Sequence, residues 1–360
     1  MTTLPTPLLF TPLTIRSLTL PNRLWVSPMC MYSAVDGVPQ DWHRTHLAQF
    51  ASGGAGLIVA EATGVVPEGR ISPRDTGIWN DEQRDAWALV VDDVHERGGL
   101  IGIQLAHAGR MASTWWPWAD QHGTVPVADG GWPTVAPSAI AFDGYAPPAA
   151  LDAAGIDRIV DAFADAAGRA LDAGFDALEV HGAHGYLLHE FLSPLSNVRD
   201  DEYGGPLENR ARLLLRIVER VRTVAGAATP VFVRLSATDY AEGGFTPEQA
   251  AQVAVWAMDA GADLVDVSSG GIVARPRIDY RPGFQVPFAE TVRAGGRVPT
   301  AAVGLITSGE QAEQVLASGA ADAIFAGREW LRDPHFGLRA AHELGAEVPW
   351  PPQYRRAHWR

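Results

Sequence analysis

The feature of this sequence that most restricts its fold is a repeat of short apolar runs, rich in branched residues, each followed by a longer segment of helical period. The repeat has the length of a βα unit, and eight units can be counted. The predicted strands are Leu24–Pro28, Gly56–Glu61, Leu100–Leu105, Ala177–His181, Val231–Leu235, Leu264–Ser268, Pro299–Val303 and Ala323–Ala326. Eight parallel strands alternating with helices predict an α/β fold, the (β/α)8 TIM barrel.

The helical segments lie between these strands, and several end in Ala-Gly or Gly-Gly, which tolerate the left-handed turn that closes a helix. They include Asp81–Arg97, Ile156–Ala173, Leu207–Val224, Pro247–Ala260 and Gly309–Ala317. An open doubly wound sheet is the alternative fold, but no G-x-G-x-x-G follows the first strand, so the usual nucleotide signal of that fold is missing. We expect a single domain over residues 1–360.

One region, residues 113–148, interrupts the repeat between the third strand and the next helix. It carries four tryptophans together with several prolines and glycines. A loop this long in a compact domain is usually functional, and its place after a strand puts it on the catalytic face of a barrel. We interpret this insertion either as a lid or wall of the site, or as a structured segment with an aromatic cluster of its own.

Charge and cysteine content exclude several classes of protein. With 28 Lys+Arg against 42 Asp+Glu, the net charge of −14 repels polyanions, so we expect no nucleic-acid partner. The single cysteine cannot form an internal disulfide or a multi-cysteine metal site. No run of 18 apolar residues and no signal-like start are present, so we expect a cytoplasmic protein without a membrane segment.

Two polar side chains stand inside strands that are otherwise apolar. Gln104 lies in the third strand and Arg234 in the fifth, and a buried amide or guanidinium must find a partner. Arg234 is predicted either to form an internal ion pair with Glu61 or Glu179, or to join Gln104 in holding a planar ligand. The pyrimidine edge of a flavin is such a ligand, because an arginine near its N1 stabilises the reduced anion.

A histidine pair follows the fourth strand, in the segment EVHGAHGYLLH at 179–189. The imidazoles of His181 and His184 can converge in a tight turn that contains glycine. A zinc site is one reading, but neither HExxH nor a suitably spaced carboxylate accompanies the pair, and we predict no metal. The pair either donates hydrogen bonds to a carbonyl or anionic oxygen, with Tyr186 as a phenolic proton donor, or merely supports the barrel top.

Glycines end the seventh and eighth strands, at Gly304 and Gly327, where many barrels bind phosphate, and Arg328 adds a bidentate donor. The only thiol, Cys30, follows the first strand. A lone cysteine is usually an inert buried residue, and a nucleophilic role requires a nearby base, for which His43 and His46 are the candidates.

Seven segments of the chain together resemble the Old Yellow Enzyme family of FMN-dependent ene-reductases, most closely its bacterial thermophilic-like branch. They occur in the family's order over nearly the whole chain. The segments are SPMCMYS at 27–33, EATGVVPEGRIS at 61–72, GIQLAHAGR at 102–110, EVHGAHGYLLHEFLSPLSN at 179–197, EYGGPLENR at 202–210, VSSGG at 267–271 and GREWLRDP at 327–334. Where many relatives carry Lys after AHAGR, this chain has Met111, so a charge at the pocket edge is absent.

The resemblance implies a role for each matching residue. Those implied to bind FMN are Ser27, Pro28, Met29, Cys30, Ala62, Gln104, Arg234, Gly271, Gly304, Gly327 and Arg328, with Cys30 tuning the flavin and the last four at the phosphate. His181 and His184 are implied to bind a substrate carbonyl, Tyr186 to donate the proton, and Tyr32 to line the pocket. Arg356, in a tail at 346–360, is implied to reach the neighbouring subunit's active site.

The activity implied by the resemblance is reduction of FMN by NADPH or NADH, followed by hydride transfer to an enone or nitro compound in a ping-pong cycle. The implied assembly is a homodimer or a dimer of dimers, although the tail is otherwise interpreted as a solvated basic segment. Two other classes remain open from the residues: a metal-dependent hydrolase or lyase that uses the histidine pair, and a flavin-binding redox sensor that acts through Cys30.

Overall fold

The structure, a computed structural model, describes residues 6–359. Eight of its strands form a closed parallel barrel, in which each strand pairs with the next barrel strand along the chain and the last pairs with the first. The strands are β1 Leu13–Ile15, β2 Leu18–Leu20, β3 Leu24–Val26, β4 Ile58–Gly64, β5 Ile101–Ala106, β6 Val135–Ala136, β7 Ala149–Ala150, β8 Ala177–Gly182, β9 Val231–Ser236, β10 Leu264–Ser268, β11 Thr300–Ala302 and β12 Ala323–Ala326. The predicted (β/α)8 barrel is confirmed.

Helices surround the barrel and connect successive strands. They are α1 Asp41–Ser52, α2 Asp81–His95, α3 Ala153–Asp172, α4 Leu187–Leu192, α5 Leu207–Ala225, α6 Pro247–Asp259, α7 Val286–Gly296, α8 Gly309–Ala317, α9 Arg328–Arg332 and α10 Phe336–Glu343. Side chains at the caps stop several of them from fraying, as where Asp152 accepts a hydrogen bond from the Gly155 N–H at the start of α3. No helix in the described part of the chain is long and apolar enough to cross a membrane.

Each of the eight predicted strands is present, with the largest difference in β4. It begins two residues later than predicted and continues to Gly64. Its register against β5 shifts between Ala60 and Ala62, so Glu61 lies at an irregularity of the ladder. Such a bulge re-aims a side chain, and it turns the Glu61 carboxylate toward the Met31 N–H.

The amino end of the barrel is closed by apolar side chains. Trp25 stacks on Phe232 and meets Phe325 edge-on, with ring centroids 5.9 and 5.3 Å apart. The hairpin of β1 and β2 covers this cluster with Ile15 and Leu20. Because the amino end is filled in this way, the open end of the barrel is the one where the strands finish.

The insertion at 113–148 lies at that open end and is anchored to the loop after β4. The Trp132 indole N–H donates to the Glu68 carbonyl at 2.8 Å, and the Arg70 guanidinium lies between the rings of Trp132 and Trp79. Trp118 meets the ring of Tyr32 edge-on at 5.8 Å between centroids. The insertion thus places an aromatic side chain against a residue of the barrel mouth.

Candidate active site

A cavity of about 400 Å³ opens at the carboxyl end of the barrel, a size typical of sites for small ligands. It is lined by residues from all eight barrel strands or the loops that follow them. Its walls hold fourteen of the predicted site residues: Ser27, Pro28, Met29, Cys30, Tyr32, Ala62, Gln104, His181, His184, Tyr186, Arg234, Gly304, Gly327 and Arg328. The loops of this chain therefore bring together residues up to 301 positions apart in the sequence, from Ser27 to Arg328.

Gln104 and Arg234 each contact a buried carboxylate on the adjoining strand. The Gln104 amide donates to Glu179 Oε1 at 2.7 Å, and Arg234 Nε lies 2.8 Å from Asp266 Oδ2. Arg234 therefore pairs with Asp266 rather than with Glu61 or Glu179, because β9 lies in register beside β10. Burial raises the pKa of both Glu179 and Asp266.

The histidine pair presents two ring nitrogens to the same point. His181 Nε2 and His184 Nδ1 are 3.5 Å apart. His181 Nδ1 accepts the Ala183 N–H at 3.3 Å, so the proton of the neutral ring belongs on Nε2. Burial and the Arg234 charge hold the pKa of both imidazoles well below the usual value, which keeps them neutral.

A serine orients the second ring of the pair. His184 Nε2 lies 2.7 Å from Ser268 Oγ, and the Gln285 amide donates to the same oxygen at 3.1 Å. Ser268 is then free to donate its hydroxyl proton to His184 Nε2, which leaves the proton of this imidazole on Nδ1. With these tautomers both nitrogens carry a proton, and an acceptor such as a carbonyl or phenolate oxygen can take a hydrogen bond from each of these N–H groups, whose nitrogens are 3.5 Å apart.

The turn that carries His184 depends on close backbone packing. His184 has a left-handed conformation, with φ of 60°, and Gly185 follows at 75°. A Cβ added at Gly271, whose φ is 107°, would lie 2.1 Å from the His184 carbonyl carbon. Gly271 therefore packs behind the histidine turn and is not among the residues that line the cavity. Its assignment to a phosphate site stays a prediction.

Two tyrosines stand beside the histidines. The ring of Tyr186 meets that of His181 edge-on, with centroids 5.2 Å apart. Burial raises the pKa of the Tyr186 phenol well above its usual value, so the group keeps its proton. Tyr32 lies on the opposite loop, and burial raises the pKa of its phenol also. Tyr186 thus enters the cavity as a neutral O–H donor.

Cys30 lies beside two carboxylates rather than beside a histidine. Its thiol, the Glu61 carboxylate and the Asp75 carboxylate have ligand atoms within 4.8 Å of one another. His43 pairs with Glu61 at 3.1 Å, and burial lowers the pKa of His46 to about 4. Burial and the neighbouring carboxylates raise the pKa of Cys30. The thiol is therefore protonated and poorly suited to nucleophilic attack.

That group is the only set of three potential metal ligands within the described residues, and it includes neither His181 nor His184. The histidine pair has a serine and a second imidazole as its neighbours, not a carboxylate. Metal ligation by this pair needs further anionic or imidazole ligands. The arrangement favours hydrogen bonding to an oxygen over metal binding.

At the other side of the cavity, glycines leave the backbone bare. A Cβ at Gly304, whose φ is 121°, would lie 3.0 Å from Gln285, and a Cβ at Gly327 would lie 3.4 Å from Met29 Sδ. Arg328 begins α9 directly after Gly327 and is exposed. Backbone next to an arginine is a common arrangement for an anion such as phosphate.

Three residues of this site were missed from the sequence: Asp266, Ser268 and Gln285. Asp266 interrupts the apolar run of β10 just as Gln104 interrupts β5, so the same reasoning applied there would have found it. Ser268 stands at the end of that strand within VSSGG. Gln285 lies in a loop without any periodic signal, and only the folded chain brings it to Ser268.

Arg356 lies in the carboxyl-terminal tail, away from the residues that line the cavity. Within this tail, Pro352–Ala357 forms a short 3-10 helix. Trp359 stacks on His342 with ring centroids 4.8 Å apart, so the tail lies along α10 of its own chain. The role of Arg356 at a neighbouring subunit stays a prediction.

Comparison with known proteins agrees with this geometry. Residues 8–347 match the model of the NADH:flavin oxidoreductase / NADH oxidase family. The chain is 49% identical over 355 residues to an NADPH dehydrogenase of Geobacillus thermodenitrificans, with 98% of each chain covered. Among solved structures, morphinone reductase matches with a TM-score of 0.79 and 32% identity over 97% of this chain and 93% of its own.

A second structural match has a longer chain. The 2-naphthoyl-CoA reductase structure has a TM-score of 0.84 and 25% identity, and covers 94% of this chain, which spans only 52% of that protein. These findings show an oxidoreductase that uses FMN and a nicotinamide reductant, and they confirm the resemblance to the Old Yellow Enzyme family. The chain belongs to the NADH:flavin oxidoreductase / NADH oxidase family.

Proposed function

We propose that this protein is an ene-reductase that uses NAD(P)H to reduce the carbon–carbon double bond of α,β-unsaturated carbonyl compounds. The observation that carries the proposal is the convergence of His181 Nε2 and His184 Nδ1, 3.5 Å apart, in the cavity that also holds Gln104 and Arg234. Gln104 and Arg234 suit the edge of a flavin, and the two histidines suit a substrate oxygen next to it.

The residues present fit FMN. Gln104 and Arg234 supply donors for the pyrimidine edge, and the buried Ser27 hydroxyl has no hydrogen-bond partner among the described residues, which leaves it for a ligand. Gly304, Gly327 and Arg328 provide bare backbone and a guanidinium for the phosphate. When bound, FMN accepts a hydride from the nicotinamide and passes it to the β carbon of the enone.

His181 and His184 act on the carbonyl oxygen of the enone. Negative charge grows on that oxygen as the β carbon gains a hydride, so two fixed N–H donors stabilise the transition state more than the ground state. Neutral imidazoles suit this role because Arg234 already supplies the positive charge of the site. Ser268 and Gln285 hold the ring of His184 in the donor orientation.

Tyr186 is the proton donor to the α carbon in this proposal. Its raised pKa keeps the phenol protonated, and its ring adjoins His181. Cys30 stays a neutral thiol that tunes the flavin, and Tyr32 forms a wall of the pocket. Because one cavity serves both the nicotinamide and the enone, the two substrates bind in turn, which gives ping-pong kinetics. Nitro compounds, whose oxygens accept the same hydrogen bonds, are a second substrate class.

Anaerobic spectroscopy of the purified protein tests the proposal. We expect a yellow protein whose flavin absorbance is lost on adding NADPH and returns on adding an enone. The double variant His181→Ala/His184→Ala should keep its bound flavin, and NADPH should still reduce that flavin. The variant should lose phenolate binding and the charge-transfer band that phenolates produce.

A colourless protein with a stoichiometric metal would instead identify a hydrolase or lyase. A yellow protein that NADPH does not reduce would indicate a flavin-binding sensor. Full phenolate affinity in the double histidine variant would disprove the carbonyl role of the pair.

A further inference from the structure

A buried imidazole and a buried carboxylate lie behind the histidine turn, the residues 183–186 that connect β8 to α4. His189 in α4 and Asp239, three residues after β9, are both fully buried. His189 Nε2 lies 3.0 Å from Asp239 Oδ1. Neither residue lines the main cavity, so any effect of this pair on the reaction must pass through residues that do.

The histidine turn is held by hydrogen bonds from other segments. His184 and Gly185 both have a left-handed backbone, which is unfavourable for a residue with a Cβ and persists only where the surroundings hold it. The His184 N–H donates to the Ser236 hydroxyl at 2.9 Å, and the Gly185 N–H donates to His189 Nδ1 at 2.9 Å. Gly185 lies between His184 and Tyr186, so the bond to the imidazole fixes the backbone from which both side chains project.

The bond from Gly185 also determines which nitrogen of His189 carries the proton. A neutral imidazole that accepts an N–H at Nδ1 has its own proton on Nε2, the nitrogen that faces Asp239. A carboxylate only accepts hydrogen bonds, so Asp239 favours the same tautomer. The carboxylate in this way keeps Nδ1 free to accept the N–H of the turn.

Asp239 is itself held in place through its second oxygen. Oδ2 accepts the Phe245 N–H at 2.7 Å and the Ser193 hydroxyl at 2.6 Å. Burial favours the neutral acid, but contact with His189 and these two hydrogen bonds outweigh it and lower the pKa of Asp239. The loop after β9, the strand that carries Arg234, is thus joined through an ionised carboxylate to the histidine turn after β8.

We propose that His189 and Asp239 are positioning residues, which hold the histidine turn where its carbonyl-binding N–H and its proton-donating phenol reach one substrate. Asp239 fixes the tautomer of His189, and His189 fixes Gly185. This role rests on the proposed function, which gives His184 and Tyr186 their parts in the reaction. A displacement of a reacting group by about 1 Å costs up to about 10²-fold in rate, so contacts behind the cavity can govern the step within it.

Asp239→Asn breaks this chain of contacts with the smallest change of shape. Its remaining oxygen is needed by the Phe245 N–H and the Ser193 hydroxyl, so its NH2 faces His189 Nε2. Two donors then face each other, and His189 must move its proton to Nδ1 and lose the bond from Gly185. The variant should keep FMN and be reduced by NADPH, but bind para-chlorophenolate about tenfold less tightly. Reoxidation by cyclohexenone should slow by about ten- to a hundredfold.

Two replacements of His189 separate positioning from packing. In His189→Gln, the amide can accept the Gly185 N–H and donate to Asp239, so this variant should retain most of the phenolate affinity and of the reoxidation rate. His189→Leu makes neither contact and should be impaired at least as much as Asp239→Asn. Adding Asp239→Asn to His189→Leu should weaken phenolate binding no further, because the contacts are already broken. Titration of the charge-transfer band and stopped-flow reoxidation measure these effects.

The matched control is His95→Leu, which removes an imidazole from another histidine–carboxylate pair. His95 Nε2 lies 2.9 Å from Asp176 Oδ2, and Asp176 directly precedes β8, so this pair is at the amino end of the barrel. The control should bind phenolate and turn over as the natural protein does.

Natural phenolate affinity and reoxidation rate in Asp239→Asn would overturn the positioning role. Loss of FMN from that variant would also overturn it, because the carboxylate would then support the barrel rather than the turn. Equal impairment of His189→Gln and His189→Leu, or of the His95→Leu control, would reduce the effect to packing. A natural protein that binds no phenolate, and whose reduced flavin no enone reoxidises, would refute the proposed function instead.

Discussion

At the scale of single residues, the site is built from polar groups placed where a core would be apolar. Gln104, Arg234 and Asp266 interrupt strands that are otherwise Val, Ile, Leu and Ala, and each is almost fully buried. Burial of such groups is costly unless they are paired, and their partners come from neighbouring strands. The cost is tolerated because Gln104 and Arg234 have further donors to offer a planar ligand.

Replacement of Tyr186 by Phe should separate the two halves of the cycle. Reoxidation by an enone should slow by about 10²–10⁴-fold, the usual contribution of a general acid, because only this half needs a proton at carbon. Reduction by NADPH should change little. Stopped-flow measurement of both halves checks this, and an equal loss in the two would reduce Tyr186 to a positioning role.

A buried carboxylate outside the site should make stability depend on pH. Glu190 in α4 is fully buried, accepts the Arg110 N–H at 2.8 Å, and has a pKa raised by burial to about 8. The folded state therefore holds a proton between pH 4.5 and 8 that the unfolded state has lost, so the free energy of unfolding falls as pH rises through this window.

Glu190→Gln keeps an acceptor for Arg110 and removes the titration. We expect the variant to lose less stability than the natural protein between pH 5 and 8, with a difference on the order of 2–4 kcal/mol at the upper end. Urea unfolding at a series of pH values measures it. Parallel curves for the two proteins would show that Glu190 does not titrate in this range.

At the scale of elements, the insertion at 113–148 forms a wall of the barrel mouth. Hydrogen bonds from residues outside the insertion hold it in place. Arg199, in the loop after α4, donates to the carbonyls of Pro137 and Leu151, at 2.9 and 2.6 Å. The Val198 N–H donates to the Ser138 hydroxyl at 3.0 Å. These bonds join the insertion to the loop after α4, so its position depends on a distant segment of the chain.

Arg199→Ala should loosen the insertion without unfolding the barrel. Two carbonyls lose a charge-assisted partner, at a cost of about 1–3 kcal/mol. Amide exchange within residues 113–148 should rise, while exchange in the barrel strands stays slow. Arg212→Ala, which removes a partly exposed arginine bonded to the Glu202 carbonyl, is the control. Equal exchange in the two variants would contradict the anchoring role.

At the scale of the whole molecule, the tail is the segment whose role depends on assembly. It contains Arg355, Arg356 and Trp359, and it lies along α10 through the stacking of Trp359 on His342. Trp359 is 47% exposed, which leaves much of its ring for a partner. We propose a homodimer, or a dimer of dimers, in which this tail crosses the interface and Arg356 reaches the partner's pocket.

Deletion of residues 351–360 should raise the KM for enones and lower the sedimentation mass at low protein concentration. Arg356→Ala should raise the KM for enones and leave the sedimentation mass unchanged, because it removes the guanidinium but keeps the aromatic contacts of the tail. Steady-state kinetics and sedimentation velocity measure the two effects. If both are unchanged on deletion, the tail is only a solvated basic segment.

The sequence by itself determined the barrel and most of its mouth. Branched apolar runs form strands and amphipathic segments form helices wherever they occur. The eight βα units could therefore be predicted from the sequence alone. Nine of the fourteen predicted residues in the cavity wall were also predicted from their place in or after a strand, because a barrel brings all strand ends to one face. Ser27, Pro28, Met29, Tyr32 and Ala62 were implied only by the family resemblance. Their family motifs added the identity of the ligand.

Only the tertiary structure decided which groups are partners. Arg234 pairs with Asp266 because β9 and β10 are neighbours in register, and Gln285 reaches Ser268 through a loop without period. Arg110 joins two segments 132 residues apart, through the carbonyls of Ile140 and Ile272. Local propensity acts over a few residues, whereas such contacts depend on how the closed barrel arranges its loops in space, which no local pattern encodes.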